Sequence, residues 1–230
     1  FQNYSSGNGL PNMGVCSFAQ DNFGSVWVGT NDGICMFDGE SFITPKIFQQ
    51  EPFISASSMG ICIDSHNVLW QTSKDGLLTC NLDTGESRLF KDYRASAILC
   101  DGDGAVWVKS SRGLVYYTHE TEEWNSSFAD EFNPVSICIN SMGELCATAS
   151  DGCIYIKKRG QNGFKRIPVL SEGILDSGLT LVKIAACDER RLLYSTSDNS
   201  AYCLELYSGC SKKFFDGHFD GKEAILSGII

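Results

Sequence analysis

The chain has 230 residues, of which 43% are hydrophobic and 20% are charged, a composition typical of a folded protein rather than a disordered one. Its formal net charge of −10 would repel polyanions, and no basic cluster is longer than the one at 157–159, so we expect no nucleic-acid partner. No apolar stretch is long enough to cross a bilayer and no secretory leader is visible, so we expect a soluble segment whose export signal has been removed.

Eleven cysteines are present, but no two of them have C-x-x-C spacing, and their separations do not form the paired knuckles of zinc sites. We therefore expect no metal site and no cofactor. Ten of the cysteines fall within the strands inferred below, with Cys210 in a loop, and a free cysteine in a strand behaves as a small buried hydrophobe. One or two disulfides remain an alternative.

An internal repeat organises the sequence. Alignment on Trp27, Trp70 and Trp107 extends without a gap to Cys146 and Tyr194, at spacings of 43, 37, 39 and 48 residues. The chain therefore contains five units, each built around one of these anchor positions.

Taken in chain order, each unit is predicted to be a β-meander. A short apolar strand leads into a first turn, the second strand carries the anchor, and a second turn follows six positions after it. Two further strands complete a unit of about 40 to 50 residues, which is the size of a propeller blade. The recurring turn and anchor residues are Asp21, Gly24, Trp27, Gly33, Asp64, Trp70, Gly76, Asp101, Gly104, Trp107, Gly113, Gly143 and Gly152.

Neighbouring residues on opposite faces of the second strands are both apolar, as in Val26 with Trp27 and Val106 with Trp107. Both faces of each sheet must then be buried, which stacked blades achieve. We predict an all-β fold, a β-propeller segment over 1–230 with five four-stranded blades at about 13–48, 56–92, 95–128, 134–168 and 180–217. Residues 224–230 would begin a further blade, and we expect a ring that closes with about seven.

The first unit resembles a known repeat. It contains Gly9-Leu10, Gln20-Asp21, Trp27-Val28-Gly29-Thr30 and Phe37-Asp38-Gly39. This pattern is similar to the two-component-regulator propeller repeat in the periplasmic sensor region of Bacteroides-type hybrid two-component system histidine kinases. The similarity weakens along the chain, and the last two units lack the tryptophan.

The resemblance implies a periplasmic ligand-sensing segment of a sensor histidine kinase. Its ligand would be an oligosaccharide, a glycan breakdown product, and its output would be the transcription of polysaccharide-utilisation genes. The expected partners are the remaining blades and downstream domains of the same chain, with a homodimer in the intact receptor. Two alternatives stay open: a protein-interaction propeller without a small-molecule ligand, and a propeller lyase.

We expect ligand recognition on the second turns, whose side chains combine mixed charge with hydrogen-bonding capacity, together with an aromatic platform such as Trp124 or Tyr93. The candidate residues are Asn31, Asp32, Lys74, Asp75, Ser111, Arg112, Ser150, Asp151 and Trp124.

No catalytic residue is predicted. His66, His119 and His218 fall in loops of different units, and no nucleophile motif or phosphate-binding loop accompanies them. The run Asp101-Gly102-Asp103-Gly104 offers two carboxylates where a calcium site needs about six to eight oxygen ligands, so we interpret it as a turn.

Overall fold

The computed structural model describes residues 3–50, 52–53, 59–110, 113–126, 128, 131–170, 178–216, 218–219 and 222–223. These residues form five four-stranded antiparallel sheets, each made of strands that are consecutive in the chain. The predicted all-β fold of five propeller blades is thereby confirmed. No helix in this part of the chain is long and apolar enough to span a membrane.

The first sheet contains β1 (Val15–Gln20), β2 (Val26–Thr30), β3 (Gly33–Phe37) and β4 (Phe42–Ile43). The second contains β5 (Ile61–Ile63), β6 (Val68–Ser73), β7 (Gly76–Asn81) and β8 (Ser87–Phe90). The third contains β9 (Ala95–Cys100), β10 (Val106–Ser110), β11 (Gly113–Thr118) and β12 (Glu123–Asn125). The fourth contains β13 (Pro134–Ile139), β14 (Leu145–Ala149), β15 (Cys153–Lys157) and β16 (Lys165–Pro168).

The fifth sheet contains β17 (Leu181–Ala186), β18 (Arg191–Thr196), β19 (Ser200–Glu205) and β20 (Ser211–Asp216). A two-stranded ribbon follows, β21 (His218–Phe219) with β22 (Lys222–Glu223). Short 3-10 turns occur at Ser6–Asn8 and Lys46–Gln49. The predicted start of a further blade at 224–230 lies outside the described residues.

The chain divides into two compact units, one comprising Phe1–Cys100, Gly104–Ser111 and Tyr116–Glu123, the other Asp101–Asp103, Arg112–Val115 and Trp124–Ile230. In the first, Trp27, Leu69 and Leu78 belong to one buried apolar cluster. In the second, Cys146, Ile154 and Tyr194 belong to another. A single propeller segment over 1–230, and a ring of about seven blades, stay predictions.

Each second strand is buried on both faces, as the apolar pairs in the sequence indicate. The side chains of Leu69 and Trp70 in β6 are both almost fully buried, as are those of Val106 and Trp107 in β10. Since successive residues of a strand point to opposite faces, both faces of these sheets are covered. The large anchor rings therefore act as core residues.

The first turn of a blade is closed by the acidic residue six positions before the anchor. Asp21 Oδ1 accepts the backbone N–H groups of Phe23 at 3.0 Å and Ser25 at 2.8 Å, while Oδ2 accepts the indole N–H of Trp27 at 2.9 Å. Burial raises the pKa of Asp21, but these hydrogen bonds outweigh it and hold the pKa below its ordinary value. The carboxylate thus joins the turn to the core.

One cysteine differs from the prediction. Cys187 was expected in a strand, but β17 ends at Ala186 and Cys187 is exposed. The backbone N–H of Cys187 bonds to the carbonyl of Arg191, so this residue belongs to the first turn of the fifth sheet.

Gly76 has a conformational requirement that can be tested. Its φ is 141°, and a Cβ at this position would collide with the backbone carbonyl of Phe90 on the neighbouring strand. Gly39 also has a positive φ, 101°, but nothing lies within 4 Å of a Cβ built there. Alanine substitutions at the two positions therefore distinguish the cost of backbone strain from that of a steric collision.

We predict that Gly76→Ala is more destabilising than Gly39→Ala by about 1–3 kcal/mol, because it adds overpacking against a strand to the strain that both variants share. Urea unfolding followed by tryptophan fluorescence measures both values. Equal losses of stability would show that the β7–β8 pairing tolerates the methyl group.

Candidate functional site

The structure places the candidate recognition residues on three second turns and one outer strand. Asn31 and Asp32 connect β2 to β3, Lys74 and Asp75 connect β6 to β7, and Ser150 and Asp151 connect β14 to β15. Trp124 lies in β12. Ser111 and Arg112 lie outside the described residues.

Two of these acidic side chains are held by partners in their own blade. Asp32 Oδ2 accepts a hydrogen bond from Asn12 Nδ2 at 2.7 Å. Asp151 Oδ2 accepts the Tyr155 hydroxyl at 2.8 Å and faces the Arg166 guanidinium at 3.3 Å. These carboxylates are therefore fixed in orientation rather than free to rotate.

Lys74 and Asp75 differ from them. Both are exposed, and in the part of the chain that the structure describes neither side chain forms a hydrogen bond or an ion pair. The hydrogen-bonding capacity of this turn is directed to solvent. A polar ligand could bind these two side chains without first displacing a protein partner.

A separate cavity of about 210 Å³ lies in the first unit. Its aromatic wall contains Trp70, Phe90 and Tyr117, with the Trp70 and Phe90 rings nearly parallel at 5.8 Å. Burial and the nearby carboxylate of Glu122 raise the pKa of Tyr117. The other lining residues are His66, Val68, Thr79, Asn81, Glu86, Arg88, Glu122 and His119.

Asp64 lies beside this cavity and closes the first turn of the second sheet. Its Oδ1 accepts the backbone N–H groups of His66 at 2.9 Å and Val68 at 3.0 Å. Its Oδ2 accepts the Trp70 indole N–H at 2.6 Å and the Nε2–H of His119 at 2.7 Å. The side chain of Asp64 is completely buried, whereas that of His119 is 22% exposed.

His66 completes this group. Its ring stacks at a tilt on that of His119, with centroids 4.2 Å apart, and one ligand atom from each of Asp64, His66 and His119 lies within 4.8 Å of the other two. The sequence predicts the two histidines in loops of different units and gives no indication that they meet. The only sequence signal is a histidine two residues after a turn carboxylate, and the partner histidine comes from the next repeat.

The carboxylate of Asp103 is already paired with cations and an amide. It accepts the N–H of Gly160 at 2.8 Å and Arg159 Nε at 3.2 Å, and Lys157 Nζ lies 3.8 Å away. The Gly160 amide, with Arg159 and Lys157, lowers the pKa of Asp103. These contacts agree with the interpretation of 101–104 as a turn rather than a calcium loop.

The pKa of Asp151 is lowered from its ordinary value of 3.8, because the Tyr155, Cys153 and Arg166 hydrogen bonds outweigh the effect of burial. A carboxyl group whose folded-state pKa is depressed stabilises the fold above its unfolded pKa, and this contribution is lost as the pH falls through the folded value. Stability from Asp151 should therefore be present at neutral pH and be lost progressively as the pH falls below 3.8.

We predict that Tyr155→Phe raises the pKa of Asp151 and lowers stability at pH 7 by at most about 1 kcal/mol, since one partly exposed hydrogen bond is lost. The difference from wild type should shrink as the pH falls below 3.8. Side-chain carboxyl NMR titration and urea unfolding at both pH values test this. Tyr202→Phe is the matched control, because Tyr202 also stacks on an aromatic ring but forms no hydrogen bond with the described residues. A constant difference across pH would contradict the assignment.

Comparison with known proteins relates this chain to sensor proteins. Residues 9–32 match the family model described as the two component regulator propeller. A stretch of 57 residues, 25% of the chain, is 39% identical to histidine kinase P4 of Formosa agariphila but covers only 4% of that protein.

Solved structures share the fold. The extracellular domain of a putative hybrid two-component system from B. thetaiotaomicron superimposes with a TM-score of 0.72 at 16% identity, over 93% of this chain and 31% of that one. Virginiamycin B lyase from Staphylococcus aureus gives a TM-score of 0.64 at 14% identity, over 89% and 71%. The chain thus spans about a third of that extracellular domain. It carries a two-component-regulator propeller repeat within a fold of β-propeller blades.

Proposed function

We propose that this chain is an extracytoplasmic ligand-sensing segment of a hybrid two-component system histidine kinase, and that it detects a glycan breakdown product in the periplasm. The observation that carries the proposal is the two component regulator propeller repeat at 9–32, in a fold similar to the extracellular domain of such a system. The 57-residue alignment with a histidine kinase supports the same assignment. The segment itself would contribute recognition and no catalysis.

The recognition surface in this proposal consists of the second turns. Asp32 and Asp151 supply oriented carboxylates, and Lys74 and Asp75 supply solvent-directed groups of opposite charge. Sugar hydroxyls both donate and accept hydrogen bonds, so these mixed polar groups suit a carbohydrate, for which Trp124 would be the aromatic platform. Ligand binding would shift the intact receptor, a homodimer, between two arrangements that set kinase activity and the transcription of polysaccharide-utilisation genes.

The exposed ring of Phe18 indicates that the first blade packs against a further element. Phe18, in the middle of β1, pairs with the residue that follows the anchor tryptophan, and its side chain is 66% exposed. Ile61 and Ile98 occupy the same register position in the next two sheets, and both are buried. A large apolar side chain that is exposed at a register position buried in the next two sheets indicates a surface that packs against another element. We assign this surface to the remaining blades of the same protein.

The same apolar surface favours one alternative function. A propeller that binds a protein partner, without any small-molecule ligand, would also present an exposed ring at this place. The two functions differ in whether a sugar binds at all, so a single titration separates them.

We predict saturable binding of one oligosaccharide class by the complete extracytoplasmic region, measured by calorimetric titration against a panel of plant and host oligosaccharides. Asp75→Ala and Arg112→Ala should weaken binding at least about tenfold, since each removes a charged hydrogen-bonding group from the site. Glu40→Ala, an exposed carboxylate outside the second turns, is the control and should bind as wild type.

An Arg88→Ala variant tests the cavity as the recognition site instead. Loss of sugar binding in this variant alone would move the site from the second turns to the cavity. No binding by the wild-type region to any sugar of the panel would contradict the sensor proposal in its glycan form and favour the protein-interaction alternative.

A further inference from the structure

We propose that Asp64, His66 and His119 form a binding site for a divalent transition-metal ion, with Zn²⁺ as the best-suited ion. One carboxylate and two imidazoles are a donor set typical of zinc sites that keep an open fourth position for water. The inference concerns a site distinct from the second turns and does not depend on the glycan proposal.

Asp64 provides a fixed and correctly oriented ligand. A carboxylate offers about four lone-pair positions. The N–H groups of His66 and Val68 and the Trp70 indole use three of them, and the fourth faces His119. A metal ion can occupy that fourth position while all three other hydrogen bonds remain, and these bonds would hold the ligand in place as supporting contacts do in known metal sites.

The two histidines provide movable ligands. In a tetrahedral site with bonds of 2.0–2.2 Å, two donor atoms lie about 3.4 Å apart. His119 Nε2 now lies 2.7 Å from Asp64 Oδ2, at hydrogen-bonding distance. Binding requires His119 to give up this proton and move outward by several tenths of an ångström. Its side chain is partly exposed and borders the cavity, so the movement has room.

His66 is placed to supply the third bond. It is exposed, its ring already contacts that of His119, and its Nδ1 lies 3.4 Å from Ser65 Oγ, a contact that can steady the ring. Both rings border the same cavity as the carboxylates of Glu86 and Glu122. The cavity therefore gives an ion a path from solvent, and its other charged lining residues are these two carboxylates and Arg88, which pairs with Glu86.

Comparison with the same turn in the first blade shows which of these three residues are particular to the second blade and its neighbour. Asp21 makes the equivalent hydrogen bonds to two amides and an indole, but the residue two positions later is Phe23. At the position of His119, immediately after the third strand, the first two blades have Asp38 and Leu82. The structural carboxylate is thus repeated, whereas the two imidazoles occur together beside Asp64.

The test is titration of the full chain with Zn²⁺, after its accessible thiols have been alkylated, because eleven cysteines would otherwise compete for the metal. We expect one equivalent to bind, and His66→Gln and His119→Gln each to weaken binding at least about tenfold, as ligand loss should exceed the 10–100-fold effect of losing outer supporting contacts. His218→Gln, which changes the third histidine of the chain, is the matched control and should bind as wild type.

Three further measurements separate the loss of metal binding from a loss of folding. Circular dichroism of the histidine variants should match wild type, and Zn²⁺ should raise the unfolding temperature of wild type but not of the double variant His66→Gln/His119→Gln. Co²⁺ should give the strong visible absorption of a tetrahedral site in wild type only. Equal Zn²⁺ affinity in wild type and the double variant, or no Zn²⁺ binding by the alkylated wild type, would overturn the proposal.

Discussion

A carboxylate at the first turn of a blade connects the turn backbone, the anchor tryptophan and the buried core. In the first two blades it accepts two backbone N–H groups of its own turn and the indole N–H of a buried tryptophan six residues later. The turn amides would otherwise be unsatisfied, and the indole would bury a polar N–H in an apolar core at a cost of about 1–3 kcal/mol. One side chain removes both penalties and fixes the turn relative to the core.

The later blades show how this role is kept when the tryptophan is lost. Asn140 still accepts the amides of Met142 and Glu144, and its Nδ2 donates to the Glu144 carboxylate at 3.0 Å. Asp188 instead binds Arg191 Nε at 2.8 Å, which keeps the pKa of Asp188 below its ordinary value. The fourth blade thus keeps both amide bonds of the turn, whereas in the fifth Asp188 accepts one turn amide, that of Arg190, and its second oxygen pairs with a side chain near the surface.

The same carboxylate acquires a different environment in the second blade. Asp64 is completely buried, and His119, which comes from the third blade and lines the cavity, approaches its remaining lone pair. A structural residue thus becomes a component of the proposed metal site without losing its structural bonds. In the second turns, by contrast, Asp32 and Asp151 bind partners within their own blades, whereas Lys74 and Asp75 are directed to solvent. Recognition of a glycan there and metal binding beside Asp64 are separate proposals on different turns.

The sequence by itself determined the repeat, the four-strand meander of each unit and the two-faced burial of the second strands. These features depend on local spacing: turn residues before and after an anchor, and apolar neighbours that must point to opposite faces. The resemblance of the first unit to a sensor repeat likewise depended on short contiguous motifs. Most cysteines were correctly placed in strands for the same reason, and Cys187 was misplaced because strand ends are set by backbone pairing rather than by residue type.

Only the tertiary structure decided which side chains meet. The register shift between the first and second strands recurs in four sheets, at Val15/Ser17, Lys109/Ser110, Pro134/Ser136 and Leu181/Lys183, and no residue type marks it. His66 and His119 are 53 residues apart in the sequence, yet their rings are 4.2 Å apart. Such contacts join different repeats, and they depend on how neighbouring sheets pack, which local periodicity does not encode.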